Sequence, residues 1–226
     1  GAVATGTVVQ GGVAVPGASA GKTRPDTSGA AKGVSIVSDP ADATAATPPV
    51  RWAIGQLEAL LVARGIAVRR AERVEQAPAG DTVLVVGGSD SPPANKLLEA
   101  ATVVVPGLAE SLGLVPSRAQ RRPVLLACGN DARGLVYALL ELADRVACGG
   151  HPLSGLEIRH PILERPANTI RSVARAFVSE VEDKSWFYDR SFWERYLSTL
   201  IAQRFNRFSL TLGIGYDFTT NIRAAY

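Results

Sequence analysis

The sequence predicts an α/β protein in two parts. The first is a small domain, a mixed sheet with helices, over about residues 33–163. The second is a strand–helix–strand unit over about 168–226. Three observations predict this. Val83-Leu84-Val85-Val86 and Val124-Leu125-Leu126-Ala127-Cys128 are unbroken apolar runs, typical of strands covered on both faces. Leu135, Leu139, Leu142 and Val146 recur at helical spacing along one stripe. Strand-like and helix-like segments alternate from residue 33 onward, which favours layers over an all-helical or all-β chain.

Residues 1–32 hold no aromatic residue and are rich in Gly, Ala, Ser and Thr. Such a composition buries too little apolar surface to offset ordering entropy, and disorder is expected there. Ala18-Ser19-Ala20 has the small-x-small form that precedes a signal-peptidase cut. The segment reads either as a signal-peptide remnant or as a flexible tail. With no Met in the chain, a fragment, a trimmed form or a mature form is expected.

The first strand is Val34-Ser35-Ile36-Val37, closed by Asp39-Pro40. A helix follows Pro48-Pro49, with Ile54, Leu57, Leu61 and Val62 on its apolar side and Gly65 at its end. Ala67-Val68-Arg69-Arg70-Ala71 is a second strand and 81–88 a third. A short helix covers 94–101, and 123–128 is a further strand. Asn130 or Asp131 is placed to cap the next helix, and Gly149-Gly150 to stop it. The expected core is Ile36, Leu57, Leu61, Val85, Leu126, Leu135, Leu139 and Leu142.

A linker containing Pro161 and Pro166 leads to the second unit. Residues 169–177 read as a strand and 179–190 as a loop. Ser191-x-x-Glu194 reads as a capping box opening a helix that buries Trp193, Leu197, Leu200 and Ile201. Residues 206–212 alternate as a strand. Strand, helix and parallel strand make one right-handed unit of a barrel or of a doubly wound sheet.

Composition narrows the function. A net charge of +3, from 24 basic and 21 acidic residues, without a dense Lys/Arg cluster, argues against a nucleic-acid surface. No run of 18 apolar residues occurs, so no membrane span is expected. Cys128 and Cys148 sit in apolar surroundings and read as two buried small side chains, with a disulfide as the alternative. No His stands at ligand spacing from them, and neither a metal nor a cofactor is expected. Gly17 to Thr23 has three residues between its glycines where a phosphate loop needs four. Gly87-Gly88 lacks the dinucleotide spacing and reads as a tight turn.

The loop over 179–190 is richest in chemistry. It holds Glu180, Glu182 and Asp183 with Trp186, Phe187 and Tyr188. Carboxylates that accept from sugar hydroxyls, beside aromatic rings that lie on apolar sugar faces, suit a carbohydrate site. A solvated loop whose aromatics pack on a neighbouring domain is the competing reading.

Two segments carry a resemblance. Gly129-Asn130-Asp131-Ala132-Arg133-Gly134-Leu135-Val136-Tyr137-Ala138-Leu139-Leu140-Glu141-Leu142 resembles the last helix of the accessory domain that precedes the barrel in family 20 hexosaminidases and family 67 α-glucuronidases. Ile170-Arg171-Ser172, Trp193-x-x-Tyr196 and Arg204-Phe205-Asn206-Arg207-Phe208 resemble the barrel start of family 20. The resemblance covers residues 33–216 by order of elements. It implies a secreted or periplasmic glycoside hydrolase acting on an oligosaccharide or polysaccharide, with the chain ending inside an incomplete (β/α)₈ barrel. It implies that Arg171, or its rival Arg175, binds sugar hydroxyls at the barrel mouth, and the chemistry of the 179–190 loop adds Glu182 and Trp186 as further candidate contacts. The paired acids that follow the second barrel strand in family 20 fall on Ile214 and Gly215. The Asp-Glu pair of the fourth strand lies beyond this chain, so no catalytic residue is named. Two other readings stay open: a non-catalytic carbohydrate-binding or scaffold module, and an unrelated periplasmic α/β binding protein. The sequence does not set the oligomeric state.

Overall fold

A computed structural model of the chain describes residues 33–151, 153–177 and 180–212, with the side chains of residues 180–182 outside the description. The expectations for 1–32 and for Ile214 and Gly215 therefore fall outside the described residues. Strand β1 (Val34–Ser38) leads through helix α1 (Pro48–Ala63) to β2 (Val68–Ala71). Strand β3 (Thr82–Gly88), helix α2 (Pro92–Ala101) and the hairpin of β4 (Leu112–Ala119) and β5 (Arg122–Gly129) follow. Helix α3 (Ala132–Cys148) and the short β6 (Ile162–Glu164) complete the first part.

The sheet runs β2-β1-β3-β5-β4-β6. Strands β2, β1, β3 and β5 are parallel, and β4 is antiparallel to both its neighbours, so the mixed sheet is present. Alternation divides the core in two. Val34, Ile36, Leu84, Val86, Leu114 and Ala127 face α1 and α3 and meet Leu57, Leu61, Leu135, Leu139 and Leu142. Val37, Val83, Val85, Val124, Leu126 and Cys128 face α2 and meet Ala94, Leu97 and Leu98. Helices on both faces account for the unbroken apolar runs of β3 and β5, and all eight expected core residues are buried.

Several details differ from expectation. Strands β4 and β6 were not expected. Asp131, not Asn130, caps α3, accepting from the Gly134 N–H at 2.8 Å. Both cysteines are free, and Cys148 is exposed on the last turn of α3 rather than buried. Cys128 is buried, and burial pushes its thiol up to about 12.

The second part is β7 (Ser172–Phe177), α4 (Glu180–Phe187), α5 (Arg190–Ala202) and β8 (Arg207–Leu212). The loop expected over 179–190 is thus mostly the helix α4. The capping box at Ser191 and Glu194 is replaced. Asp189 caps α5, accepting from the Ser191 N–H at 2.8 Å, and Glu194 instead accepts from Arg190 Nε at 2.8 Å. No residue of α5 is buried, Trp193, Leu197, Leu200 and Ile201 included. Strands β7 and β8 are parallel neighbours, as expected, with Ser172 opposite Arg207 and Phe177 opposite Leu212. Among the described residues no helix is long and apolar enough to cross a membrane.

Candidate functional site

The β7–β8 pair has two unlike faces. Val173, Arg175, Phe177 and Phe208 are half-buried, and rings on α4 and α5 pack against Phe177 and Phe208. Ser172, Ala174, Ala176, Arg207, Ser209 and Thr211 are exposed. Alternation of side chains along β7 creates this division, whereas in β8 only Phe208 is covered and Leu210 and Leu212, on the same face, are exposed.

The aromatic residues form one cluster. Trp186 lies 6.2 Å from Phe177, 5.5 Å from Phe192 and 5.6 Å from Trp193, ring centre to ring centre. Phe192 and Tyr196 stack at 5.4 Å, and Phe208 closes on Trp193 at 5.8 Å. The indole N–H of Trp186 donates to Asp183 Oδ1 at 2.8 Å, and that of Trp193 donates to the Phe187 carbonyl at 2.8 Å. The guanidinium of Arg175 lies 4.0 Å above the Trp186 ring, 5.1 Å from that of Phe192 and 5.5 Å from that of Tyr196. A cation over ring faces is attracted by their quadrupoles. Its Nε is buried without a hydrogen-bond partner. The ring face of Trp186 turned toward Arg175 is thus taken. Of Trp186, Phe187 and Tyr188, only Tyr188 is exposed.

Arg171 stands elsewhere. It immediately precedes Ser172, at the N-terminal end of β7, whereas α4 follows the C-terminal end. Its Nη2 pairs with Glu110 Oε2, its Nε donates to the Arg204 carbonyl at 2.6 Å, and its Nη1 donates to the Asn168 carbonyl at 2.7 Å. Arg171 and Arg175 therefore belong to different environments, and the structure does not bring them together. Glu182 lies in the first turn of α4, just past the C-terminal end of β7; its side chain lies outside the described residues.

Glu110 is the hub of the Arg171 site. It is buried in the turn before β4, with φ +65. Its Oε1 accepts from Arg133 Nη1 at 2.6 Å and from Asn206 Nδ2 at 2.9 Å. Burial alone would raise its carboxyl, but hydrogen bonds from Arg171, Arg133 and Asn206 outweigh burial and hold it below the ordinary glutamate range. Burial and the Glu110 charge push up the Tyr137 hydroxyl, which accepts from Arg171 Nη2 at 3.4 Å. Arg204, at φ +63, pairs with Glu164 and with Glu141, the latter at 3.0 Å. Glu110, Tyr137, Glu164, Arg171 and Arg204 line a cavity of about 310 Å³. Sequence reasoning found Arg171 but missed Glu110, Arg133, Tyr137, Asn206 and Arg204 as its company. Glu110 and Asn206 stand 96 positions apart in the chain, and no motif links them.

A larger groove of about 590 Å³ lies on the α2 side of the sheet. Asp39, Asp42, Arg73, Glu75, Lys96 and Arg118 are among its lining. Asp42 is spent on backbone N–H groups of Thr44, Ala45 and Gly88. Among the described residues no group of three or more His, Cys, Asp or Glu could hold a metal ion.

No family model matches the chain, and no curated protein matches it. Solved structures do. One, described as a GH138 enzyme targeting pectin rhamnogalacturonan II, is 21% identical at a TM-score of 0.52, over 81% of this chain and 19% of that one. Another, described as the structure of CpGH84D, is 11% identical at a TM-score of 0.48, over 84% of this chain and 37% of that one. The chain spans well under half the length of either. Its fold, a six-stranded mixed sheet with helices followed by a parallel strand pair, is glycoside-hydrolase-like.

Proposed function

We propose that this chain is the N-terminal part of a carbohydrate-active enzyme that hydrolyses glycosidic bonds. Its mixed-sheet domain is the accessory domain, and β7–α4–α5–β8 begins a (β/α)₈ barrel. The carrying observation is the parallel β7–β8 pair that follows a complete, open six-stranded mixed sheet. The likeness to a GH138 enzyme over 81% of the chain supports it, as does the resemblance of 129–142 to family 20 and family 67 enzymes and of stretches within 170–208 to family 20. The GH138 enzyme is described as targeting a pectin polysaccharide, which makes polysaccharides the first substrates to test and a secreted or periplasmic location the natural one.

Glycosidic hydrolysis takes two carboxylates about 5–10 Å apart across the scissile bond. The open face of the strand pair presents Ser172, Ala174, Ala176, Arg207, Ser209 and Thr211, with no acid among them. The resemblance to family 20 assigns the catalytic pair to a later barrel strand, outside this chain. In a barrel the substrate side is the C-terminal end of the strands. Glu182, by its place after β7, is the residue proposed to accept from sugar hydroxyls. Trp186 and Arg175 hold α4 on β7, and Arg171, at the N-terminal end of β7, is tied to Glu110 away from that side.

The acid-free face also favours a second reading, a non-catalytic carbohydrate-binding or scaffold module. Glycosidase assays on aryl glycosides and pectic polysaccharides separate the two. The 226-residue chain should hydrolyse nothing. The same chain extended by the codons that follow Tyr226 in its gene should hydrolyse at least one substrate. Turnover by the unextended chain would overturn the placement of the active site. An extended chain that binds sugar without turnover would establish the module.

A further inference from the structure

We infer that Glu110 is a register clamp, by which the mixed-sheet domain sets the alignment of β7 against β8. The two strands need such a device. A two-stranded sheet is marginal in water, a parallel pair is the weaker kind, and one face of this pair is open. A slip of one residue would turn Phe208 to the open face and Ser209 into the aromatic cluster, because side chains alternate.

The geometry supplies the device. Arg171 and Asn206 immediately precede β7 and β8, so they continue the register in which Ser172 faces Arg207. One carboxylate holds both: Glu110 Oε2 takes Arg171 Nη2, and Oε1 takes Asn206 Nδ2 at 2.9 Å. The two held residues also bond each other. The Arg171 N–H donates to Asn206 Oδ1 at 2.9 Å, and the Asn206 N–H donates to the Arg171 carbonyl at 3.0 Å. A slipped β8 would bring Phe205 or Arg207 to the place of Asn206. Neither offers a donor and an acceptor on one short side chain.

A clamp must itself be fixed, and this one is. The Glu110 N–H donates to Asp131 Oδ2 at 2.9 Å, while Oδ1 of the same aspartate caps α3. Gly134 brings the first turn of α3 so close to the chain after Glu110 that a Cβ there would lie 2.1 Å from the Ser111 carbonyl oxygen. Arg133 holds the carboxylate from the same turn. The left-handed φ at Glu110 and Arg204 places costly backbone on both sides of the junction, the kind that persists only where its surroundings over-determine it. Arg204 adds a second tie, from its carbonyl to Arg171 and from its side chain to Glu141 and Glu164.

Amide hydrogen exchange on the whole 226-residue chain, read by mass spectrometry, tests this. In Glu110→Gln the amides of 173–177 and 208–212 should exchange faster by on the order of a hundredfold, as loss of a buried charge pair implies. The amides of 83–86 and 125–127 should keep their rates. Adding Arg171→Gln to Glu110→Gln should cost little more than either change alone. If Glu110→Gln fails to fold, Asn206→Ala is read the same way, since it removes one arm of the clamp and leaves the carboxylate paired. Unchanged protection of both strands would overturn the inference. So would an equal loss in both regions, which would make Glu110 an ordinary stabilising residue.

Discussion

The mixed sheet and the β7–β8 unit use the same local grammar, parallel strands linked by helices, yet they are finished to different degrees. In the first, Leu57, Leu61, Leu84, Leu126, Leu135, Leu139 and Leu142 are fully covered. In the second, no residue of β7, α5 or β8 is buried, and Leu197, Leu210 and Leu212 stand exposed. The first buries its apolar strips against its own layers. The second leans on an aromatic cluster at one side and on the Glu110 junction at its N-terminal end. The strand–helix–strand unit thus brings its own aromatic packing but no buried core, and the alignment of its strands is held from the neighbouring domain through Glu110.

Core truncation draws this contrast most sharply. Leu139→Ala should destabilise the mixed sheet by about 3–4 kcal/mol, through lost burial and the cavity left behind. Leu212→Ala, at 52% exposure, should cost less than about 0.5 kcal/mol. Urea titration followed by circular dichroism measures both, and equal costs would break the comparison. Gly134→Ala comes next, at about 2–3 kcal/mol, because the added Cβ meets the Ser111 carbonyl oxygen, which the Asn130 N–H holds in place. A smaller effect is expected at Arg175. Arg175→Gln should cost about 1 kcal/mol by removing the cation from the Trp186 face, and should show as a change in tryptophan emission. The mildest lever is acid. The folded Glu110 carboxyl lies below its unfolded value, so its contribution is fully present above the ordinary glutamate pKa and is lost as pH falls through the lowered folded one. Exchange at β7 and β8 should therefore quicken on acidification before exchange at β3 and β5 does, once intrinsic rates are divided out.

The sequence made the closed half legible because its signals are repeated. Val83 to Val86 and the Leu135 stripe each declare both an element and the side it buries. Strand β4 escaped notice because Gly113 and Pro116 interrupt it. The structure tolerates that proline because β6 pairs only with 112–114, so Pro116 lies where β4 is an edge. Helix α4 read as a loop because its acids and aromatics follow no apolar stripe, and the Phe177, Phe192 and Trp193 rings that hold it come from elsewhere in the chain. The Glu110 junction was illegible for another reason. Its partners come from α3, the linker and the turn before β8, and only the fold makes them neighbours.

The claim that the second unit is open and held from outside has a direct test. The three tryptophans are Trp52 in α1, and Trp186 and Trp193 in α4 and α5. In a Trp52→Phe chain, fluorescence therefore reports only the β7–β8 unit, while far-ultraviolet circular dichroism is weighted toward the mixed sheet and its long helices. Urea unfolding followed by both signals should give a fluorescence midpoint clearly below the dichroism midpoint, because the open unit detaches first. Coincident midpoints would contradict the account, showing that the two parts share one core and unfold as one.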